Sequence, residues 1–271
     1  MPNPQRKLAF VAAATEHGTM IVNRFDRHMT GPDTGYGAGY QLLETAAYDA
    51  DEVRVLLSLL DLRHSHYGDG VIAVDCGANV GVHTIEWAKH MTRWGVVLAF
   101  EAQERIYYAL AGNVALNNCF NARAVLAAVT NQPGTMKIPR PDYLSNASFG
   151  SLELKKRVNN EFIGQPIDYS EDKMSEVRAI TLDSLNFPRL DLIKIDVEGM
   201  ELDALAGAAQ CIGRHHPIIL VEMIKTDRNA LNAWLQKCGY CVFDAGINFL
   251  AIHSDDKCLP QIKAGKLMPA A

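Results

Sequence analysis

The chain has 271 residues, with 26 Lys and Arg against 31 Asp and Glu for a formal charge of −5, and 48% of its residues are hydrophobic and 21% charged. Such a length and balance describe one large globular domain with extensions and exclude disordered, collagenous and coiled-coil chains. A net acidic chain gathers neither nucleic acid nor an anionic membrane through its overall field, and no apolar run approaches the roughly 18–20 residues that cross a bilayer, so neither partner is expected.

Arg6 and Lys7 ahead of the apolar run 8–14, with Ala12, Ala13 and Ala14 inside it, imitate a secretory leader. The run is short and lacks a leucine-rich centre. His17-Gly18 and a second β-prone run over 19–22 follow it, so the pattern predicts a hairpin. A Gly-rich stretch over 31–39 then leads into a helix whose face is Val53, Leu56, Leu57 and Leu60. Residues 1–69 therefore read as an N-terminal hairpin, arm and helix preceding a main domain over 70–271.

From residue 70 onward, β-rich runs alternate with helical patterns, the signature of an α/β domain built on a Rossmann-like, mostly parallel sheet. Strands are expected over 71–75, 96–101, 124–129, 190–196 and 217–222. Between them lie a helix over 82–91 and helical faces marked by Ile106, Leu110 and Val114, by Leu202, Leu205, Ala206 and Ala209, and by Leu231, Trp234, Leu235 and Cys238. Runs over 240–243 and 249–253 are close enough to form a closing antiparallel hairpin.

Residues 139–170 interrupt the alternation and are too long for an ordinary connection. Insertions above the carboxyl edge of a parallel sheet commonly shape the substrate site, so this one is expected to form a lid or wall there. Its Ser148-Phe149-Gly150-Ser151 offers hydroxyls and an aromatic face, while Lys155-Lys156-Arg157 reads as a solvated basic face. Six cysteines are dispersed along the chain, which is the usage of reduced thiols and predicts a cytoplasmic protein. Cys238 and Cys241 have a metal or redox spacing, but no second pair completes a zinc site, and core packing is the expected role.

The chemistry concentrates in residues 75–84, Asp75-Cys76-Gly77-Ala78-Asn79-Val80-Gly81-Val82-His83-Thr84, between the first main-domain strand and its helix. Gly77 and Gly81 let the backbone turn sharply against a ligand, and Thr84 with the free amides of the helix start can hold a carboxylate. Asn79 stands where the dinucleotide fingerprint needs a glycine, which disfavours pyrophosphate, and the loop lacks the Lys of a Walker A motif. Glu101 ends the second strand, where an acid can accept both hydroxyls of a ribose. That pairing suits S-adenosylmethionine as well as a nicotinamide dinucleotide.

Together with Phe100-Glu101-Ala102 and the run Ile193-Lys194-Ile195-Asp196-Val197-Glu198-Gly199-Met200-Glu201, this loop resembles the FkbM family of S-adenosylmethionine-dependent methyltransferases. The resemblance spans residues 71–222. It implies a seven-strand methyltransferase sheet whose parallel strands are closed by an antiparallel last strand. It also implies that Asp75, Gly77, Asn79 and Gly81 form the cofactor loop, that Glu101 binds the ribose, and that Asp196 and Glu198 are the acids after the fourth strand. Ala78 is expected beside Gly77 against the cofactor's amino-acid part. The insertion and the N-terminal arm lie outside the motif, so the acceptor does not carry over.

Asp196 and Glu222 end neighbouring strands and are expected to flank the acceptor, with Glu198 a third acid near the methyl donor and His83 a lesser candidate base. Lys194, alternating within an apolar strand, reads as a buried partner for a carboxylate. A divalent ion bridging Asp196 and Glu222 would lower an acceptor's pKa, although two carboxylates are few ligands for one. Methyl transfer is an in-line displacement that needs alignment and removal of the acceptor's proton. The acids therefore favour O-methylation, and the family resemblance points to a hydroxyl of a sugar, glycan or small natural product. The alternatives are a cofactor-binding interaction module without turnover and an NAD-dependent oxidoreductase.

Overall fold

The computed structural model describes residues 7–32 and 34–263. Arg6 of the leader-like start, residue 33 of the Gly-rich stretch and residues 264–271 of the main domain lie outside them. Phe10–Thr15 (β1) and Gly18–Asn23 (β2) pair antiparallel, the hairpin expected from the sequence. It is tied down by Asn113, whose Oδ1 accepts from Ile21 N at 2.5 Å and whose Nδ2 donates to Val80 O at 2.7 Å. The Gly-rich stretch is not a loose arm. It folds as the short pair His28–Met29 (β3) and Gly35–Tyr36 (β4), followed by helix Ala38–Thr45 (α1). Ala50–Tyr67 (α2) buries Val53, Leu56, Leu59, Leu60 and Arg63, with Leu59 rather than Leu57 at the centre of the face.

The alternation continues through Val71–Cys76 (β5), Val82–His90 (α3), Gly95–Glu101 (β6), Glu104–Leu116 (α4) and Ala122–Leu126 (β7). The expected strand over 124–129 is divided. Ala128–Val129 (β8) leaves the main sheet and joins Gly134–Pro139 (β9) and Met174–Ile180 (β10) in a separate three-stranded sheet of order β8-β10-β9. The insertion hangs between β9 and β10. Leu192–Ile195 (β11) leads to Glu201–Ala206 (α5) and Ala209–His215 (α6). These two helices replace the single expected stripe: Ala204 and Ala208 are buried while Ala206 and Ala209 are exposed. The break falls at Gly207, where an added Cβ would lie 2.0 Å from the Thr130 carbonyl oxygen, so the backbone packs directly on the small sheet. Ile218–Glu222 (β12), Arg228–Lys237 (α7), Tyr240–Ala245 (β13), Asn248–His253 (β14) and Leu259–Lys263 (α8) complete the chain. Asp227 caps α7, accepting from Asn229 N and Ala230 N.

The main sheet has seven strands in the order β13-β14-β12-β11-β5-β6-β7. All neighbours from β12 to β7 are parallel, and β14 runs antiparallel to both β12 and β13. The reversed strand is thus the last in sequence but sits inside the sheet edge. Because β5, β6, β11 and β12 run the same way, their ends at Cys76, Glu101, Ile195 and Glu222 open on one side. Among the described residues no helix is long and apolar enough to cross a membrane.

Candidate active site

A cavity of about 390 Å³ lies over that carboxyl edge. Its floor is the turn after β5. Gly77 has φ +80° and packs so closely on β11 that an added Cβ would stand 1.7 Å from the Asp196 carbonyl oxygen. Gly81 starts α3 at φ +93°, and Asn79 between them is also left-handed, at φ +51°. This geometry presents the Asn79 amide to Glu101, whose Oε2 accepts it at 3.0 Å while Oε1 accepts Gln103 N at 2.8 Å. Burial pushes the Glu101 carboxyl up to about 7, the two amides opposing it. Asn79 Oδ1 is buried with no hydrogen-bond partner.

Gly77, Ala78, Asn79, Gly81, Glu101, His83, Asp196, Glu198 and Glu222 all line the cavity, whereas Asp75 and Thr84 do not. Thr84 is fully buried in the first turn of α3, away from the expected place against a ligand, and its hydroxyl donates to Asp75 Oδ2 at 2.7 Å, bracing the loop from beneath, while Asp75 Oδ1 is buried without a hydrogen-bond partner.

Across the cavity, the turn after β11 and the end of β12 bring three acids together. One oxygen from each of Asp196, Glu198 and Glu222 lies within 4.8 Å of the others. Lys194 is indeed a buried partner, 2.8 Å from Asp196 Oδ2. Glu198 adopts φ +53° and its Oε2 meets Lys225 Nζ at 2.6 Å. Burial, reinforced by the Asp196 charge, holds the Glu198 carboxyl well above its ordinary range and pushes Glu222 up to about 8. His83 faces Glu52, with Nε2 3.0 Å from Oε1, and Asn248 Nδ2 donates to the other Glu52 oxygen at 2.6 Å. Burial alone would raise Glu52, but the His83 hydrogen bond and the Lys194 charge outweigh it and leave that carboxyl below its usual value.

Several wall residues carried no sequence signal. The arm and α1–α2 corner supply Tyr36, Gln41, Tyr48, Asp49 and Glu52. Lys225, just past β12, donates to Ser151 O and also pairs with Glu161, so one ammonium joins the insertion to the acid cluster. The insertion is a fixed wall. Phe149 is fully buried, its N–H donates to Asp26 Oδ1 at 2.9 Å, and its carbonyl accepts Gln103 Nε2 at 2.8 Å. All three residues of the basic triplet are exposed, as expected of a solvated face, and Arg157 in addition donates to Gly199 O and Lys225 O.

With a glycine turn, a strand-end acid and an acid cluster around one space over a seven-strand sheet closed by an antiparallel strand, the fold is of the Rossmann-like methyltransferase type. Residues 75–242 match the methyltransferase FkbM domain, and the chain belongs to this family of S-adenosylmethionine-dependent methyltransferases, which sets the oxidoreductase alternative aside. Methyltransferase sdnD of Sordaria araneosa is 28% identical over 153 residues, covering 49% of this chain and 59% of that protein. Methyltransferase 1 of Beauveria bassiana is 24% identical over 150 residues, covering 52% and 59%. The chain therefore spans little more than half the length of these curated relatives. A crystal structure of methyltransferase FkbM from Methylobacillus flagellatus KT aligns over 68% of this chain and 43% of that one, at TM-score 0.47 and 15% identity. A SAM-dependent O-methyltransferase from Thermotoga maritima aligns over 91% and 87%, at TM-score 0.42 and 8% identity.

Proposed function

We propose that the protein transfers the methyl group of S-adenosylmethionine to a hydroxyl of a small polar acceptor, a sugar, glycan unit or small natural product. The observation that carries this reading is the continuity of one cavity from the glycine turn to the acid cluster. The residues fit the cofactor. Gly77 and Gly81 give the turn its left-handed backbone and its close packing on the Asp196 carbonyl and Leu110, Asn79 Oδ1 is a buried acceptor without a partner, and Glu101 is placed for a pair of ribose hydroxyls. Gly77, Ala78, Asn79 and Gly81 would hold the amino-acid part.

The cofactor supplies a methyl group on a sulfonium centre, open to in-line attack. The chain's own residues align the acceptor and take its proton. Asp196, fixed by Lys194, and Glu222, on the adjacent strand, flank the space where the acceptor hydroxyl would sit. The proton passes to one of these carboxylates as the new O–C bond forms. His83 is the lesser candidate, because its Nε2 is turned to Glu52 at 3.0 Å.

Calorimetry with S-adenosylmethionine, followed by transfer of isotope-labelled methyl to a panel of glycans and hydroxylated metabolites, tests this reading. Cofactor binding with turnover on a hydroxyl is expected. Binding without any turnover would favour the interaction-module reading, and methylation at nitrogen would overturn the acceptor class. Once an acceptor is found, Asp196→Asn and Glu222→Gln should each lower turnover by about 10²-fold or more, the scale of a lost general base. Wild-type rates in both variants would place the chemistry elsewhere.

A further inference from the structure

Four carboxylates share two ammonium ions at the acceptor end of the cavity. Lys194 serves Asp196, and Lys225 is divided between Glu198 and Glu161, 2.6 and 2.7 Å away. Glu222 has no such partner. It is 8% exposed, and its Oε2 is buried and without a hydrogen bond. The two ammonium ions thus leave Glu222 unpaired and Lys225 shared, among side chains that all line the same cavity. The lysines also engage only Asp196 Oδ2 and Glu198 Oε2, so the other oxygen of each carboxylate takes no hydrogen bond from a described residue.

We propose that Asp196, Glu198 and Glu222 bind one hard divalent cation, Mg²⁺ or Mn²⁺. The donor set is all oxygen, which selects such ions over zinc or copper. Oxygens around an octahedral Mg²⁺ stand about 3 Å apart when adjacent and about 4.2 Å when opposite, so carboxylate oxygens already within 4.8 Å of one another reach such a set by side-chain rotation of an ångström or two. The backbone aims them. Glu198 and Gly199 are both left-handed, at φ +53° and +89°, and Glu201 Oε1 accepts Val197 N and Gly199 N to hold that turn. Lys194 and Lys225 would act as outer partners that orient the ligating carboxylates, as hydrogen-bonded groups behind metal ligands do. The other group of potential ligands, His216, His253 and Asp255, is equally close but includes an exposed carboxylate and two stacked imidazoles. Its imidazoles stack at 3.5 Å and 9°, which confines their lone pairs to two parallel planes.

Occupation of the site does not depend on the acceptor, whereas its role rests on the O-methylation reading: the ion would fix the acceptor oxygen and lower its pKa. The test is calorimetric titration of the full chain with MnCl₂, alone and with S-adenosylhomocysteine, together with paramagnetic resonance of the bound Mn²⁺. One site per chain is expected, with a dissociation constant below about 1 mM. Glu222→Gln should weaken it by at least about tenfold, the loss of one anionic ligand, while Asp255→Asn leaves it unchanged. Asp196→Asn serves if the first variant does not melt cooperatively. No Mn²⁺ uptake by the wild type in either state, or wild-type affinity in a folded cluster variant, overturns the proposal. Because the probe is the metal alone, its failure would leave the methyl-transfer reading standing, and absence of methyl transfer would leave the titration readable.

Discussion

At Gly77 two independent constraints meet: a φ of +80° and a neighbouring carbonyl that would lie 1.7 Å from any Cβ. Gly77→Ala must move the turn away from β11 or leave the left-handed region, at a cost of about 1–3 kcal/mol for the conformation alone. The expected outcome is a lower melting temperature and loss of measurable cofactor binding in calorimetry; a variant that binds normally would show that the turn does not hold the cofactor. Glu101 is different in kind, since its carboxylate already accepts two amides and is positioned to accept more. Glu101→Ala should weaken S-adenosylmethionine binding by about 1–3 kcal/mol, the usual cost of losing a charged hydrogen-bond partner, and an unchanged affinity would exclude the ribose assignment. Both residues are legible in the sequence, because a glycine turn followed by a strand-end acid is local chemistry. Asp75 and Thr84 are local to the same loop but lie beneath it, off the cavity wall. Sequence spacing places them beside the loop, but the direction of a side chain below or above it depends on the packing of α3.

The insertion shows what element-level patterns leave out. Its position above the carboxyl edge follows from its place between strands, yet the ties that make it a wall come from residues far away in sequence, Asp26, Gln103 and Lys225. No periodicity marks Lys225, which lies in the loop after β12 and acquires its role only when β11, β12 and the insertion meet. The divided strand at Ala127 and the broken helix at Gly207 have a similar cause: the small three-stranded sheet takes Ala128 and Val129 and presses the Thr130 carbonyl on Gly207. Local propensity cannot register a sheet formed by segments some fifty residues apart. Lys225→Met should therefore loosen the wall specifically. Amides from Ser151 to Ile163 should exchange faster while those of β5 and β6 keep their protection. The stability loss should fall below the about 3–5 kcal/mol of a fully buried broken pair, because Glu161 is 38% exposed. Uniformly faster exchange would mean that Lys225 supports the whole fold instead.

Across the whole molecule, buried acids link cofactor binding to pH in a direction opposite to stability. Asp26 is pushed up to about 6 and Glu101 to about 7, in both cases chiefly by burial. A folded-state pKa above the unfolded value contributes stability that is complete below the unfolded pKa and is lost as pH rises through the folded one. The carboxyls held below their ordinary range, Glu52, Glu86 and Glu161, act in the reverse sense, but their contribution is lost only on acidification below about pH 4.5, where unfolded glutamates begin to protonate. Between pH 5.5 and 8 the raised groups prevail. Asp26 and Glu101 alone should lower the stability of the ligand-free protein in urea unfolding by about 2–3 kcal/mol over that interval, since each tenfold difference in proton affinity between the folded and unfolded chain is worth about 1.4 kcal/mol, and the raised Glu198 and Glu222 add to the fall in the same direction. In the proposed pose the ribose hydroxyls donate to ionised Glu101, so S-adenosylmethionine affinity should instead rise from pH 5.5 to about 7 and then level off. Binding near pH 6.5 should release protons, read as a dependence of the calorimetric heat on the buffer's ionisation enthalpy. Glu101→Gln should abolish that release and flatten the affinity profile while leaving the Asp26 part of the stability profile in place. An affinity that falls with pH alongside stability would mean that the cofactor does not engage ionised Glu101.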